Sequence, residues 1–346
     1  MSSIPIRVLV VDDSPYMRKV IKEMLEMSPV IEVVATAYDG RDALDKVTQF
    51  LPDVVVLDLE MPVLDGIGFL RAQAERFRLP VVICSIHDEN SEKALIALEA
   101  GAVEFVHKPS ALANEQIFGI EENLIEKVYI AANVRLEKML LTPPAPGSAL
   151  TAAPTKGMVD AIVIGISTGG PQALRQLVPV LPKSFPVPIA MVLHMPVGFT
   201  GPFAERLNGV SAIEVMEARE GDEMKPGRAL LAPAGRHLSL IKRYDKKVVA
   251  HLDINPSNTY HRPSVDVLFR SAADVYGGRL LGVVMTGMGN EGTIGSGWIK
   301  AGGGLIYVES EQSCVVYGMP RSVVEAGLAD NIFPLERMAL ALIEIA

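Results

Sequence analysis

A glycine-framed serine, a strand-end histidine and a short acidic loop are the residues here best suited to acyl chemistry. In Val163-Ile164-Gly165-Ile166-Ser167-Thr168-Gly169-Gly170-Pro171 an apolar run enters a serine turn, and a helix-like run, Gln172 to Leu181, leaves it. The pattern reads strand, tight turn, helix start, which holds a hydroxyl out at the C-terminal edge of a sheet. The flanking glycines permit the turn and let a substrate come close. Taken alone, the signature also suits a phosphate-binding or purely structural turn. A serine nucleophile needs a base, and the base needs a group to orient it. His194 ends a second apolar run, Ile189 to Leu193. Glu291 lies in Thr286-Gly287-Met288-Gly289-Asn290-Glu291-Gly292, directly after a third run, Leu280 to Met285. Ser167, His194 and Glu291 thus stand at three strand ends. Pattern alone leaves rivals: His261 for the base and Asp266, in a helical context after Pro263, for the acid. His237 and His251 fall in or beside hairpin-like strands and read as fold or surface residues.

A second constellation precedes the first. Asp12 and Asp13 follow the apolar run Arg7 to Val11, and Asp58 follows Val54 to Leu57. Ser85 ends Val81 to Cys84, and Lys108 lies just beyond Val103 to Val106. Any one of these polar residues could simply cap a helix. Five at matching strand ends point to a site, because sites in doubly wound sheets lie beyond the carboxyl ends of the strands. Three carboxylates brought together repel one another. A hard divalent cation such as Mg²⁺, which prefers oxygen ligands, relieves that repulsion. A lysine and a hydroxyl beside it suit a phosphoryl group.

The elements that must position these groups form two α/β domains. Residues 1–136 alternate strands and helices at short spacing, as a doubly wound, flavodoxin-like domain of five parallel strands does. Ser14-Pro15 opens its first helix, and Gln116 to Lys138 closes it in a helical pattern. From 137 to 157 periodicity gives way to Pro, Thr and small residues, which reads as an interdomain linker. Residues 158–346 read as a second, mainly parallel α/β domain with a β-hairpin. There Arg228 to Pro233 is expected to pair with Ser239 to Ile241, with Lys242 to Lys247 as a hairpin tip. The chain of 346 residues is 49% hydrophobic, enough for two cores. Its net charge of −9 argues against a general affinity for nucleic acid or anionic membranes. Two cysteines, Cys84 and Cys314, suit a reducing cytoplasm. The N-terminus lacks a signal-peptide core, and no run of about 18 apolar residues suggests membrane insertion.

Val10-Val11-Asp12-Asp13-Ser14, Asp58 with Met61-Pro62, Ser85 and Lys108-Pro109 resemble a response-regulator receiver domain. The resemblance implies that Asp58 accepts phosphate from a histidine kinase of the CheA type. It implies that Asp12, Asp13 and Asp58, helped by the backbone carbonyl of Glu60, hold Mg²⁺. Ser85 and Lys108 then contact the phosphoryl oxygens, Phe105 is the aromatic switch position, and the Lys108–Pro109 bond is expected to be cis. The second half is similar to the CheB methylesterase family. The similarity rests on the Ser167 turn, Leu193-His194-Met195-Pro196, His261 to Phe269, Thr286 to Asn290 and Ser313 to Pro320.

That family resemblance implies a cytoplasmic serine hydrolase, free of cofactor in the esterase domain. It would demethylate glutamate methyl esters on methyl-accepting chemoreceptors and deamidate glutamines there. It assigns Ser167 as nucleophile, His194 as base and residue 291 as orienting acid, with Thr168 and Met288 as oxyanion donors. This chain has Glu291 where the family motif has Asp, and restoring Asp is expected to keep or raise activity. A non-catalytic nucleotide-binding module fits less well, since serine replaces the second glycine of a dinucleotide fingerprint. Nor does a recognition-helix pattern support a DNA-binding regulator. In the family the unphosphorylated receiver blocks the esterase. The fragment from Gly157 onward should therefore release methanol faster than the unphosphorylated whole chain; equal rates would remove the inhibition.

Overall fold

The computed structural model describes residues 5–85, 91–108, 117–134 and 157–346. Most of the expected linker and the isomer of the Lys108–Pro109 bond lie outside the described residues. The chain divides into two compact units, Met1–Leu136 and Glu137–Ala346.

The first unit runs β1 (Ile6–Val11), α1 (Pro15–Glu26), β2 (Ile31–Ala37), α2 (Gly40–Phe50), β3 (Val54–Leu57), α3 (Gly66–Arg76), β4 (Val81–Ser85), α4 (Ser91–Glu99), β5 (Glu104–His107) and α5 (Ile117–Ala132). Its five strands are parallel in the order β2-β1-β3-β4-β5. Strands β3 and β4 are buried along their whole length, as expected of a parallel sheet covered on both faces. Side-chain caps open two of these helices, the first at the expected Ser14-Pro15. The Ser14 hydroxyl accepts the Met17 N–H ahead of α1, and the Asp65 carboxylate accepts the Gly68 N–H ahead of α3. The strand order reverses between β1 and β3, so Asp12 and Asp58 emerge beside the crevice where such sheets bind ligands.

The second unit runs β6 (Ala161–Ile166), α6 (Gly170–Leu177), β7 (Ile189–Leu193), α7 (Thr200–Val210), β8 (Glu214–Glu217), β9 (Arg228–Leu231), β10 (His237–Lys242), β11 (Val248–Asp253), α8 (Val265–Tyr276), β12 (Leu280–Val284), α9 (Thr293–Ala301), β13 (Leu305–Glu309), α10 (Met319–Glu325), β14 (Asn331–Phe333) and α11 (Leu335–Ile345). Its main sheet has seven strands in the order β14-β13-β12-β6-β7-β9-β8, all parallel. The order reverses between β6 and β12, again opening a crevice at their carboxyl ends.

One sequence expectation is corrected here. The segment starting at Arg228 does not pair with the one around Leu240. Strand β9 pairs in parallel with β7 and β8, because its Ala229-Leu230-Leu231 face is fully buried in the main sheet. Strand β10 forms the hairpin with β11 instead, and the basic stretch turns between them. The apolar residues Leu238, Leu240 and Ala250 of that hairpin join the core against Leu268 and Phe269 of α8.

Candidate active site

Ser167, His194 and Glu291 follow β6, β7 and β12, three strands that lie side by side in the sheet. The Ser167 N–H donates to Thr286 O at 2.9 Å, and the His194 N–H donates to Ile166 O at 3.3 Å. These backbone bonds extend the sheet into the site, so strand pairing sets the spacing of the side chains. Gly169 lies at φ 78°, the left-handed conformation that lets the chain turn from Ser167 into α6. At Gly287 a Cβ would stand 2.8 Å from the Ser167 Cβ and 2.4 Å from the Met319 sulfur. Only glycine lets the Thr286–Met288 segment lie this close to the serine.

The side chains form a continuous line. Ser167 Oγ is 3.1 Å from His194 Nδ1. His194 Nε2 is 3.0 Å from Glu291 Oε2, close in distance but poorly aligned, as catalytic contacts in free sites often are. The other oxygen, Oε1, accepts the N–H of Val265, the first residue of α8, at 2.9 Å. Burial works against a charge on Glu291. Hydrogen bonding and attraction from His194, a hydrogen bond from the Ser264 side chain and the nearby His261 outweigh it, and hold the carboxyl below its ordinary range. The α8 N-terminus, whose first N–H groups have no carbonyl partner within the helix, also favours a negative charge there. A carboxylate facing Nε2 keeps the ring proton on Nε2. Nδ1 is then free to accept a proton from Ser167. The two ring nitrogens exchange the roles they have in the chymotrypsin-type triad.

The rivals have other partners. His261 stacks on His194, with ring centroids 4.2 Å apart and planes 27° apart. His194, His261 and Glu291 bring ligand atoms within 4.8 Å of one another. Nearly parallel rings, however, send their in-plane lone pairs side by side, whereas a tetrahedral metal site needs them to converge. Asp266 turns its Oδ1 to the N–H groups of Gly292 and Gly295. His237 is fully buried; its Nδ1 accepts the Ser264 N–H at 3.1 Å, and its Nε2 faces Pro256 O at 3.1 Å. It is a fold residue that anchors the segment carrying His261. His251 is partly exposed and pairs with Glu220 at 3.1 Å.

Thr168 is buried, and its carbonyl accepts the Thr286 hydroxyl at 2.9 Å, tying the two sides of the crevice together. Met288 is 39% exposed at the site's edge. Two features were not legible in the sequence. One is the anchoring of Glu291 by the start of α8. The other is Glu309, which is fully buried and accepts the Thr286 N–H at 2.9 Å.

In the first unit, ligand atoms of Asp12, Asp13 and Asp58 lie within 4.8 Å of one another. Lys108 Nζ reaches Asp12 at 2.7 Å and Asp58 at 2.6 Å. The backbone N–H of Lys108 donates to the backbone carbonyl of Ser85 at 2.8 Å, so Ser85 and Lys108 are neighbours across the ends of β4 and β5. Burial raises the Asp58 carboxyl, and the charge of Asp12 adds to this, against the opposing pull of Lys108. Burial alone would lower Lys108, but Asp58 and Asp12 raise it. Three carboxylates beside one ammonium leave two negative charges uncompensated, a donor set that fits a hard divalent cation. Phe105 is buried, its ring 5.0 Å from His107 in an edge-to-face contact. Glu60 reaches outward to Lys93 at 2.7 Å.

Residues 162–342 match the CheB methylesterase family model, and residues 8–116 match the response regulator receiver domain model. The chain is 50% identical to the protein-glutamate methylesterase/protein-glutamine glutaminase 5 of Myxococcus xanthus, over 96% of each chain. It is 46% identical to the protein of the same name, without a number, from Halalkalibacterium halodurans, over 96% of each. Among solved structures, the Thermotoga maritima CheB methylesterase catalytic domain is 42% identical, with a TM-score of 0.53, covering 54% of this chain and 99% of that one. Among the described residues no helix is long and apolar enough to cross a membrane.

Proposed function

The chain belongs to the CheB methylesterase family, with a receiver domain ahead of the esterase, and from that premise we propose that Ser167, His194 and Glu291 hydrolyse glutamate methyl esters on chemoreceptors under control of phosphorylation at Asp58. The observation that carries this is the Ser167–His194–Glu291 line at three adjacent strand ends. His194 Nδ1 takes the Ser167 proton as Oγ attacks the ester carbonyl. The carbonyl oxygen becomes an oxyanion, for which the backbone N–H groups of Thr168 and Met288 are the candidate donors. The tetrahedral intermediate collapses, and methanol leaves with the proton from His194. A water then gives its proton to Nδ1 and attacks the acyl-serine, freeing the glutamate and restoring Ser167. A glutamine amide follows the same path and releases ammonia. Glu291 holds the ring orientation and offsets the positive charge of His194 at each transfer.

In the receiver, Asp12, Asp13, Asp58 and the Glu60 carbonyl would hold a divalent cation, which we read as Mg²⁺. When bound, it neutralises charge on the carboxylates and the incoming phosphoryl group. Asp58 forms the new O–P bond as the N–P bond of a kinase phosphohistidine breaks. On this reading Lys108 and the Ser85 hydroxyl contact the phosphoryl oxygens, and Phe105 is the switch position. A new charge at this site biases a two-state arrangement of the loops around it.

Methanol release from methylated receptor tests the reading. Wild type should release methanol, and Ser167→Ala should not. A small-molecule phosphodonor should raise release by wild type but not by Asp58→Ala. Wild-type release by Ser167→Ala would remove the serine mechanism.

A further inference from the structure

Glu291 does not depend on its own loop alone. The loop 286–292 and helix α8 exchange caps. Glu291 Oε1 accepts the N–H of Val265 at the start of α8. One residue on, Asp266 Oδ1 accepts the N–H of Gly292 at 3.0 Å and of Gly295 at 2.7 Å. Gly292 is the N-cap of α9 and has no side chain with which to cap it. Asp266 performs that task from a neighbouring helix, satisfying two N–H groups that α9 cannot. The arrangement costs electrostatic energy. Burial raises the Asp266 carboxyl, and the charge of Glu291 raises it further, against the two backbone bonds. Two carboxyl groups are thus kept near each other, one aimed at the imidazole and the other at the backbone beside it.

We propose that Asp266 is a positioning residue for the esterase reaction, clamping Gly292 and Gly295 so that Glu291 stays aimed at His194. The proposal rests on the reading of Ser167, His194 and Glu291 as the catalytic groups. What the clamp requires is an acceptor oxygen at the Oδ1 position, not a charge. Asn supplies that oxygen. Leu has nearly the same shape and supplies none.

The experiment compares kcat and KM for methanol release in the full chain for wild type, Asp266→Leu, Asp266→Asn, Glu291→Gln and Ser167→Ala, with calorimetric melting as the check on folding. Loss of the clamp lets Glu291 drift, so Asp266→Leu should lose about tenfold or more in kcat with little change in KM. Asp266→Asn should stay within about threefold of wild type, since it keeps the acceptor. A folded Asp266→Leu with wild-type kcat overturns the proposal. So does Asp266→Asn falling as far as Glu291→Gln, because the carboxylate itself would then be needed. If Asp266→Leu does not fold, the Asn variant alone decides by the same criterion. An active Ser167→Ala would instead sink the underlying serine reading, which keeps the two failures apart.

Discussion

Replacing Glu291 by Gln is expected to lower kcat for methanol release by about 10⁴, at least as far as replacement by Ala. The reason lies in the second bond of the carboxylate. Oε1 accepts the Val265 N–H at 2.9 Å. In a Gln side chain only the carbonyl oxygen can take that bond, so the amide NH₂ is turned toward His194 Nε2. Nε2 must then accept, and the ring proton moves to Nδ1, opposite Ser167 Oγ. The base now offers a proton to the group it should deprotonate. Ala imposes no tautomer and leaves a fraction of rings in the useful state. The same geometry reverses the expectation for Asp drawn from sequence. The extra methylene lets Glu291 reach Val265 and His194 at once. Asp, shorter by one carbon on this backbone, must give up one of them. Glu291→Asp is therefore expected to lose about 10- to 100-fold. Steady-state kinetics on the three variants, with KM near wild type, checks the order Asp above Ala, and Ala at or above Gln. Retention of more than a tenth of wild-type kcat by the Gln variant would show that Glu291 does not orient the base.

The second bond of Glu291 marks where sequence stops being informative. The three strand ends were readable because apolar runs stop abruptly at Ser167, His194 and the Thr286 loop. Parallel strands buried on both faces leave their polar residues at the ends. The receiver cluster was readable for the same reason, since Asp12, Asp58, Ser85 and Lys108 each follow such a run. The partner of β9 was misread because nearness in sequence suggested a hairpin, while burial of Ala229 to Leu231 drew the strand into the parallel sheet. The anchoring of Glu291 was invisible because Val265 and Asp266 lie about 25 residues upstream, and only packing of α8 against α9 brings them to the loop. Asp266 could be noticed as an acid, but nothing local in the sequence separates an acid facing histidine from one facing backbone N–H groups. Glu309 was hidden differently. It ends an apolar strand as Asp58 does, yet it turns into the core rather than toward the crevice.

Glu309→Gln is expected to stabilise the esterase half above neutral pH and to do little near pH 5. The carboxyl is fully buried: Oε2 accepts the Thr286 N–H and Oε1 the Ser313 Oγ–H, each at 2.9 Å, and the Cys314 thiol also bonds to the carboxyl. Burial pushes its pKa from 4.5 up to about 7, against those hydrogen bonds. A carboxyl raised on folding binds more protons in the native than in the unfolded chain between these two values. Stability therefore falls as pH rises through that window, and the loss is complete above it. The rise is worth about 3 kcal/mol once the group is ionised. Gln avoids the charge and fits the same contacts. Its oxygen takes the Thr286 N–H and its NH₂ donates to Ser313 Oγ. The Ser313 hydroxyl can then turn to Ser310 O, 3.4 Å away, while still accepting the Leu335 N–H. Calorimetry of the full chain at pH 8 should show the Gln variant melting on the order of 5 °C or more above wild type. At pH 5 wild-type Glu309 is itself mostly protonated, and the two melts should nearly coincide. An equal gain at both pH values would mean that packing rather than charge separates them. A loss at pH 8 would mean that the ionised carboxylate is needed to hold Thr286, and with it the backbone that receives the Ser167 N–H.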